Sequence, residues 1–386
     1  MINQLHVVST TTVASGGEGL AALRYAESLA KAGCSVTFIS RYLCDGKISD
    51  FAVTNGSCTQ QIVPLRKNIV LELFAQYHFI TALCNTKKID LIHIHGMWTP
   101  ILAVAAFVAK KKSLPLVISA HGCLEPWALQ NKGWKKRLAL WMYQGAILHS
   151  ASLLVATAPQ EMESLRKMGL HQPIAVIPNG VDIEEAPPSI KDSPIKTFLF
   201  LSRIDPKKGL LDLVEAWCTI RRPDWCIVIA GPDQDGYQAI VENLIQLKGL
   251  EAEIKFIGLV QGARKKECFE SASIFILPTY SENFGLVVAE ALSNNLPVIT
   301  TTGAPWQELI EHQCGWWVDP GVKGISEAMV KAMDCDPKEL EIMGSRGRQL
   351  VINKYSWDTI GGIALEVSEW LLNRTQNAPA AIYGYK

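Results

Sequence analysis

Two glutamates, Glu282 and Glu290, flank an aromatic, a glycine and a pair of valines in "SENFGLVVAE", residues 281 to 290. The Ser-Glu-Asn cluster reads as a turn, and Leu286 to Leu292 has helical apolar spacing. One carboxylate therefore stands at the mouth of a helix and the other about two turns in. Carboxylates accept paired sugar hydroxyls well, so one can hold a hexose and the other a ribose. The N–H groups around Phe284 to Val287, at the helix start, face a charged or hydroxylated ligand. A plainer assignment makes Glu282 a capping acid and Glu290 an exposed helix residue. Glu290 lies among Val287, Val288, Ala289, Ala291 and Leu292, which disfavours a purely solvated position.

A second cluster is "SRIDPKKG", residues 202 to 209, directly after a strand pattern. Arg203 supplies a planar fork, Lys208 a point charge and the following helix start unpaired N–H groups, a combination suited to a diphosphate. A solvated, charge-rich turn is the alternative. Gly16, Gly17 and Gly19 sit between the first strand and first helix and let backbone N–H groups approach an anion closely. Their spacing is neither G-x-G-x-x-G nor a lysine-bearing phosphate loop, and a tight turn explains them equally well. His93, His95 and His121 lie at strand ends in "IHIHG" and "ISAHG"; the first two share a face because residues two apart on a strand do. Of the three, His121 is the strongest functional candidate.

These groups need a scaffold that brings strand ends together. At 386 residues the chain suits two domains, and 48% apolar against 19% charged residues is the balance of a globular protein. Strand and helix patterns alternate through "QLHVVST", "GLAALRYAESLAKAG", "SVTFIS", "IDLIHIHG" and "PLVISAHG", then break at the proline-bearing "IEEAPPSIKDSPIK" and restart at "TFLFLSRID". This predicts an α/β protein of two doubly wound parallel sheets: residues 1–183, a linker at 184–196, and residues 197–356, with 357–386 crossing back onto the first. Ligands of such sheets bind beyond the carboxyl ends of the strands, which makes a cleft between the two domains the expected site.

Taken in order, the motifs are similar to those of the retaining glycosyltransferases of family 4, the type used in bacterial polysaccharide and lipopolysaccharide assembly. "SENFGLVVAE" resembles the family's E-x7-E signature, "SRIDPKKG" its R-x4-K-G, "IPNGVD" its hinge stretch, "GGEG" its N-terminal glycine loop, and Tyr355 to Leu372 its terminal crossing helix. The resemblance implies the GT-B fold of two Rossmann-like domains. It implies that Arg203 and Lys208 hold the donor diphosphate, with Gly17 near it, and that Glu290 holds the ribose. Glu282 with the backbone of Asn283, Phe284 and Gly285 then holds the donor sugar, with His121 nearby. Trp306 departs from the family, many of whose members carry a small residue there, and bears on the shape of the sugar pocket.

The reaction implied is transfer of a hexosyl unit from a nucleotide diphosphate sugar, UDP favoured over GDP, to a saccharide acceptor with retention. No D-x-D-like motif stands in a suitable loop, so neither metal nor cofactor is expected. The ten cysteines form no C-x-x-C pair and no Cys/His cluster at metal-ligand spacing, which suggests reduced thiols in a cytoplasmic protein. Charge divides unevenly: residues 1–183 hold 17 basic and 10 acidic side chains, and the rest hold 20 and 27. The basic half contains "EPWALQNKGWKKRLALWMYQGAI", where Trp127, Trp134, Trp141 and Tyr143 interleave with Lys132, Lys135, Lys136 and Arg137. Such a segment can lie on an anionic bilayer surface and points to a polyprenyl-diphosphate-linked acceptor; equally, its tryptophans can be core. No spanning helix or signal peptide is expected. Nucleic acid is disfavoured because no recognition motif accompanies the basic residues. A nucleotide-sugar epimerase and a non-catalytic sugar-nucleotide sensor are the rival readings.

Overall fold

The computed structural model describes residues 1–11, 18–41, 58–63, 68–130, 133–183 and 195–384. Gly16, Gly17, Lys132 and nearly all of the segment expected to be a linker lie outside the described residues. The chain divides into two compact units, Met1–Gly180 with Trp357–Lys386, and Val181–Ser356.

The first unit contains β1 (Asn3–Val8), α1 (Glu18–Lys31), β2 (Ser35–Ser40), β3 (Cys58–Ile62), α2 (Ile69–Thr86), β4 (Leu91–His95) and α3 (Pro100–Lys111). It continues through β5 (Leu116–Ser119), α4 (Pro126–Gln130), α5 (Gly133–Ala139), a π turn at Leu140–Gln144, α6 (Gly145–His149), β6 (Leu153–Ala156), α7 (Pro159–Lys167) and β7 (Ile174–Val176). The second unit runs β8 (Lys196–Leu201), a 3₁₀ turn at Pro206–Lys208, α8 (Leu210–Ile220), β9 (Trp225–Ala230), α9 (Tyr237–Lys248), β10 (Ile254–Gly258) and α10 (Gly262–Ser271). It ends with β11 (Ile274–Leu277), α11 (Leu286–Ser293), β12 (Val298–Thr301), α12 (Glu308–Glu311), β13 (Gly315–Val318), α13 (Val322–Asp334) and α14 (Pro337–Tyr355). Then α15 (Trp357–Leu371) and β14 (Ile382–Tyr383) return to the first unit.

Strand order in the first sheet is β14-β7-β6-β5-β4-β1-β2-β3, parallel except for the antiparallel β14–β7 pair, and in the second it is β10-β9-β8-β11-β12-β13, all parallel. Parallel strands are covered on both faces, which is why β4, β5, β11 and β12 are buried along their whole lengths. In the first unit one face packs against α2 and α3 through Leu5, Val7, Ile92 and Ile94. The other face packs against α1 and α15 through Ala22, Ala26, Ile360, Ala364 and Trp370. The two helices approach closely at Gly361, where a Cβ would stand 2.5 Å from the Ser28 carbonyl oxygen. Among the described residues, no helix is long and apolar enough to cross a membrane, and the nine described cysteines are unpaired.

Candidate active site

A cluster of charge in the second unit forms where β8 and β11 end. Lys208 is only 5% exposed, and its ammonium group donates to the Glu282 carboxylate in a pair almost shut off from water. Two loops are stitched together to achieve this. Asp205 accepts the Lys207 N–H at 2.9 Å and starts the 3₁₀ turn; the Lys207 carbonyl then accepts from the Tyr280 N–H at 2.7 Å and the Thr279 hydroxyl at 3.1 Å. Gly209 follows with φ +71°, and a Cβ there would lie 2.0 Å from the Pro278 carbonyl oxygen. Only glycine permits both that backbone conformation and that approach. The Glu282 N–H donates to the Gly303 carbonyl at 2.7 Å, which ties the second loop to the end of β12. Arg203 is exposed, whereas Lys207 is half-buried, and burial together with neighbouring Lys208 pushes its ammonium below the usual range. Three basic side chains thus gather at one strand end, of which sequence reasoning had singled out Arg203 and Lys208.

Helix α11 begins at Gly285, beside this pair. Phe284 is buried, and its carbonyl accepts from the Trp306 indole at 2.6 Å. Trp306 is fully buried against Phe284 and Tyr355, with ring centroids 5.3 and 5.2 Å away. The tryptophan that departs from the family pattern therefore braces the helix mouth from beneath. Glu290, about one turn on, accepts two 2.7 Å bonds from Lys265 of α10. It lines a cavity of about 210 Å³ together with Gly262, Lys265, Lys266, Asn294 and Arg348. Lys265 was missed as Glu290's partner because only the packing of α10 reveals it.

The first unit holds a different chemistry. Register pairs His6 of β1 with His93 of β4, and His95 lies two residues further along the same face. His6 Nδ1 is 3.0 Å from His95 Nε2, His95 Nδ1 is 3.2 Å from His121 Nε2, and His93 Nε2 is 2.8 Å from the Ser119 hydroxyl. Nitrogens of His6, His93 and His95 lie within 4.8 Å of one another, a grouping that could hold a metal ion and that chain spacing did not reveal. The rings nonetheless stack: His93 on His95 at 25° and His6 on His95 at 26°. His6 and His93 are tilted by 51°, and ring nitrogens of all three already lie within hydrogen-bond distance of protein groups, so a hydrogen-bonded cluster accounts for the arrangement. Burial pushes the His6 imidazole down to about 3 and His121 to about 4, and holds His93 and His95 well below the usual histidine range.

His121 sits at the open end of this stack, half-buried and with φ +49°. Glu161 of α7 holds the turn in place by accepting the Gly122 N–H at 2.6 Å and the Thr157 N–H at 2.7 Å. Near the same strand ends, the Glu18 carboxylate packs against Gly96, where a Cβ would fall 1.8 Å from one of its oxygens. Burial raises the Glu18 carboxyl to about 7. Sequence reasoning passed over Glu18, although its place inside the glycine loop was a usable signal.

In the aromatic and basic segment, Trp127, Trp134 and Trp141 are 46%, 69% and 85% exposed, so these tryptophans are not core. Trp134, Leu138, Trp141 and Met142 recur at helical spacing and are exposed, as are Lys135 and Arg137. Lys136 instead turns inward, donating to the Ala128 carbonyl at 2.6 Å and lying over the Trp98 ring.

Comparison with known proteins resolves the class. The Glycosyltransferase Family 4 model matches residues 15–185 and the Glycosyl transferases group 1 model matches residues 182–350, consecutively and over most of the chain. The chain belongs to the family 4 glycosyltransferases. Relatives include an uncharacterized glycosyltransferase of Methanocaldococcus jannaschii, 31% identical over 43% of this chain and 42% of its own. A GDP-mannose:cellobiosyl-diphosphopolyprenol alpha-mannosyltransferase of Xanthomonas campestris is 26% identical over 58% of each chain. These two matches thus span about half of each relative's length. A phosphatidyl-myo-inositol mannosyltransferase of Mycolicibacterium smegmatis is 24% identical over 92% of this chain and 90% of its own. Anabaena HepE, solved with UDP and glucose, superposes with a TM-score of 0.75 over 96% of this chain and all of its own at 19% identity, a likeness that establishes the fold as GT-B.

The glycosyltransferase's buried histidines set its acid stability. His6, His93, His95 and His121 stay neutral when folded and bind protons on unfolding, so their contribution is present above about pH 6.5 and is lost as pH falls through it. Glu18 acts in the opposite sense, since its raised value keeps a proton in the folded state that the unfolded chain has released. Four protons against one leave a net uptake on unfolding of about three near pH 5.5. The urea midpoint is therefore expected to drop steeply between pH 7 and 5.5. A flat profile there would mean that the histidines are not buried as neutral groups.

Proposed function

We propose that this glycosyltransferase moves a hexosyl unit from a nucleotide diphosphate sugar to a lipid-linked saccharide acceptor, with retention of anomeric configuration and without a metal ion. The observation that carries the proposal is Lys208, a buried ammonium delivered by a strand end to the mouth of α11 and neutralised by Glu282. Burying an ammonium requires an anion, which Glu282 supplies here, and a departing diphosphate is a second anion of the right charge for the cations gathered at this strand end. Arg203 and Lys207 add charge from the same turn, and the first N–H groups of α11 add the helix dipole.

Arg203 and Lys208 take the diphosphate, and Glu290 takes the ribose hydroxyls at the wall of the 210 Å³ cavity, where Lys265 now occupies it. Glu282 and the backbone of Asn283 to Leu286 take the donor sugar. The bond between the anomeric carbon and the diphosphate breaks, and the acceptor oxygen bonds to that carbon from the same face. The departing phosphate oxygen takes the acceptor's proton. Fixed positive groups aimed at the developing diphosphate charge lower the barrier. Glu282 is already committed to Lys208, which disfavours it as a covalent nucleophile.

The first unit is assigned the acceptor. Trp134, Leu138, Trp141 and Met142 with Lys135 and Arg137 make an apolar strip beside positive charge, the composition of a segment that rests on an anionic bilayer. The names of the Xanthomonas and Mycolicibacterium relatives both specify acceptors attached to lipid. The relatives' names do not agree on the base: GDP-mannose for the Xanthomonas enzyme, UDP with glucose for HepE.

Two outcomes are expected. In a transfer assay with nucleotide sugars and polyprenyl-diphosphate-linked saccharides, Lys208→Ala lowers kcat by about 10²–10³-fold, while excess chelator leaves the wild-type rate intact; loss of activity in chelator would overturn metal independence. In sedimentation with phosphatidylglycerol vesicles at low salt, the wild type pellets and a Trp134→Ser, Trp141→Ser variant does not. Failure of the wild type to pellet would remove the membrane assignment.

A further inference from the structure

The histidine stack is anchored by the C-terminal helix, and the anchoring imposes a direction on it. The Ser368 hydroxyl on α15 donates to the Ala364 carbonyl at 2.7 Å, so its proton is spent. The group of Gln4 that faces Ser368 at 3.0 Å must then be the amide NH₂, whose other contact is the Cys34 sulfur at 3.4 Å. That orientation turns the Gln4 carbonyl oxygen toward His6 Nε2, 3.1 Å away, and makes Nε2 the protonated nitrogen of His6. A neutral His6 has a bare Nδ1, so the 3.0 Å contact is a bond donated by His95 Nε2–H. By the same step His95 Nδ1 is bare and His121 Nε2–H donates to it across 3.2 Å.

We infer that the chain Ser368–Gln4–His6–His95–His121 is a tautomer-setting device that holds His121 as a neutral Nε2–H imidazole and presents its Nδ1 lone pair to a hydroxyl of a saccharide bound by the first unit. His121 is the residue in contact with substrate; Gln4, His6, His95 and Ser368 are positioning residues that act through it. The claim that the partner is a sugar hydroxyl rests on the function proposed above, whereas the chain itself does not. Every link lies in the first unit, which gives the return of α15 a chemical role besides packing. An amide at the buried end also adds no negative charge that would favour an imidazolium in the chain, as a carboxylate would. The titratable groups facing the stack are His93, flat against His95 at 4.1 Å, Tyr25 of α1, edge-on to His93 at 5.5 Å, and Cys34 behind Gln4. Glu18 and Cys123 lie near the open end.

The test is nitrogen NMR of the ligand-free full chain labelled with ¹⁵N-histidine, between pH 8 and 5.5, on wild type, Ser368→Ala and Ser368→Thr. Expected are Nε2–H tautomers at His6, His95 and His121 with no titration over this range. Ser368→Ala frees the Gln4 amide to turn over, so an Nδ1–H population appears at His121; Ser368→Thr keeps the hydroxyl and restores the single tautomer. In the transfer assay Ser368→Ala lowers kcat about tenfold, the worth of one hydrogen bond, with donor KM unchanged. An Nδ1–H tautomer at His121 in the wild type, or an unchanged tautomer in Ser368→Ala, would overturn the chain. So would tight one-to-one Zn²⁺ binding that shifts His6, His93 and His95 together. Correct tautomers in a protein that transfers no sugar would leave the chain standing and remove its assigned ligand.

Discussion

The arrangement of the second unit depends on keeping one ammonium out of water. A lysine that is 5% exposed costs several kcal/mol to desolvate unless an anion meets it, and Glu282 is that anion. To bring them together, the turn after β8 must lie directly on the loop after β11, which explains the left-handed glycine at 209 and its contact with Pro278. The same stitching sets where α11 begins, and Trp306 braces that point from below. A pair held this firmly is a poor way to gain stability, because apolar residues of similar volume would serve as well. Its retention makes sense if the charge is used, and a leaving diphosphate is the use proposed.

The first unit follows a complementary design, polar but neutral. Its four imidazoles, three of them buried and His121 half-buried, share hydrogen bonds with one another and with Gln4 and Ser119 instead of meeting carboxylates, so burial keeps them uncharged. Close packing of α15 on α1 at Gly361 brings Ser368 to the end of this network. The C-terminal segment is thereby part of the first unit's chemistry as well as of its core.

Much of this was legible in the sequence because strand ends carry their chemistry in contiguous motifs. "SRIDPKKG" and "SENFGLVVAE" are each short enough that turn residues and apolar spacing place their charges, and the α/β class follows from alternating periods. Contacts made through strand order were not legible. His6 belongs with His93 only because β1 lies beside β4, and Lys265 belongs with Glu290 only because α10 packs near α11. Trp306 read as a pocket residue because nothing in the chain separates a tryptophan that lines a ligand from one that supports its neighbour. The exposure of Trp134 and Trp141 likewise required the helix to be seen against the unit it covers.

The central claim is that the second unit grips a nucleotide diphosphate sugar through the strand-end cations and Glu290. It is tested most directly by calorimetric titration of UDP, GDP and their hexose conjugates into the wild type and into Glu290→Ala. The account predicts micromolar binding of one nucleotide series to the wild type and its collapse in the variant, which would also name the base. Absence of binding by either series, or binding that survives Glu290→Ala unchanged, would contradict the donor site as assigned.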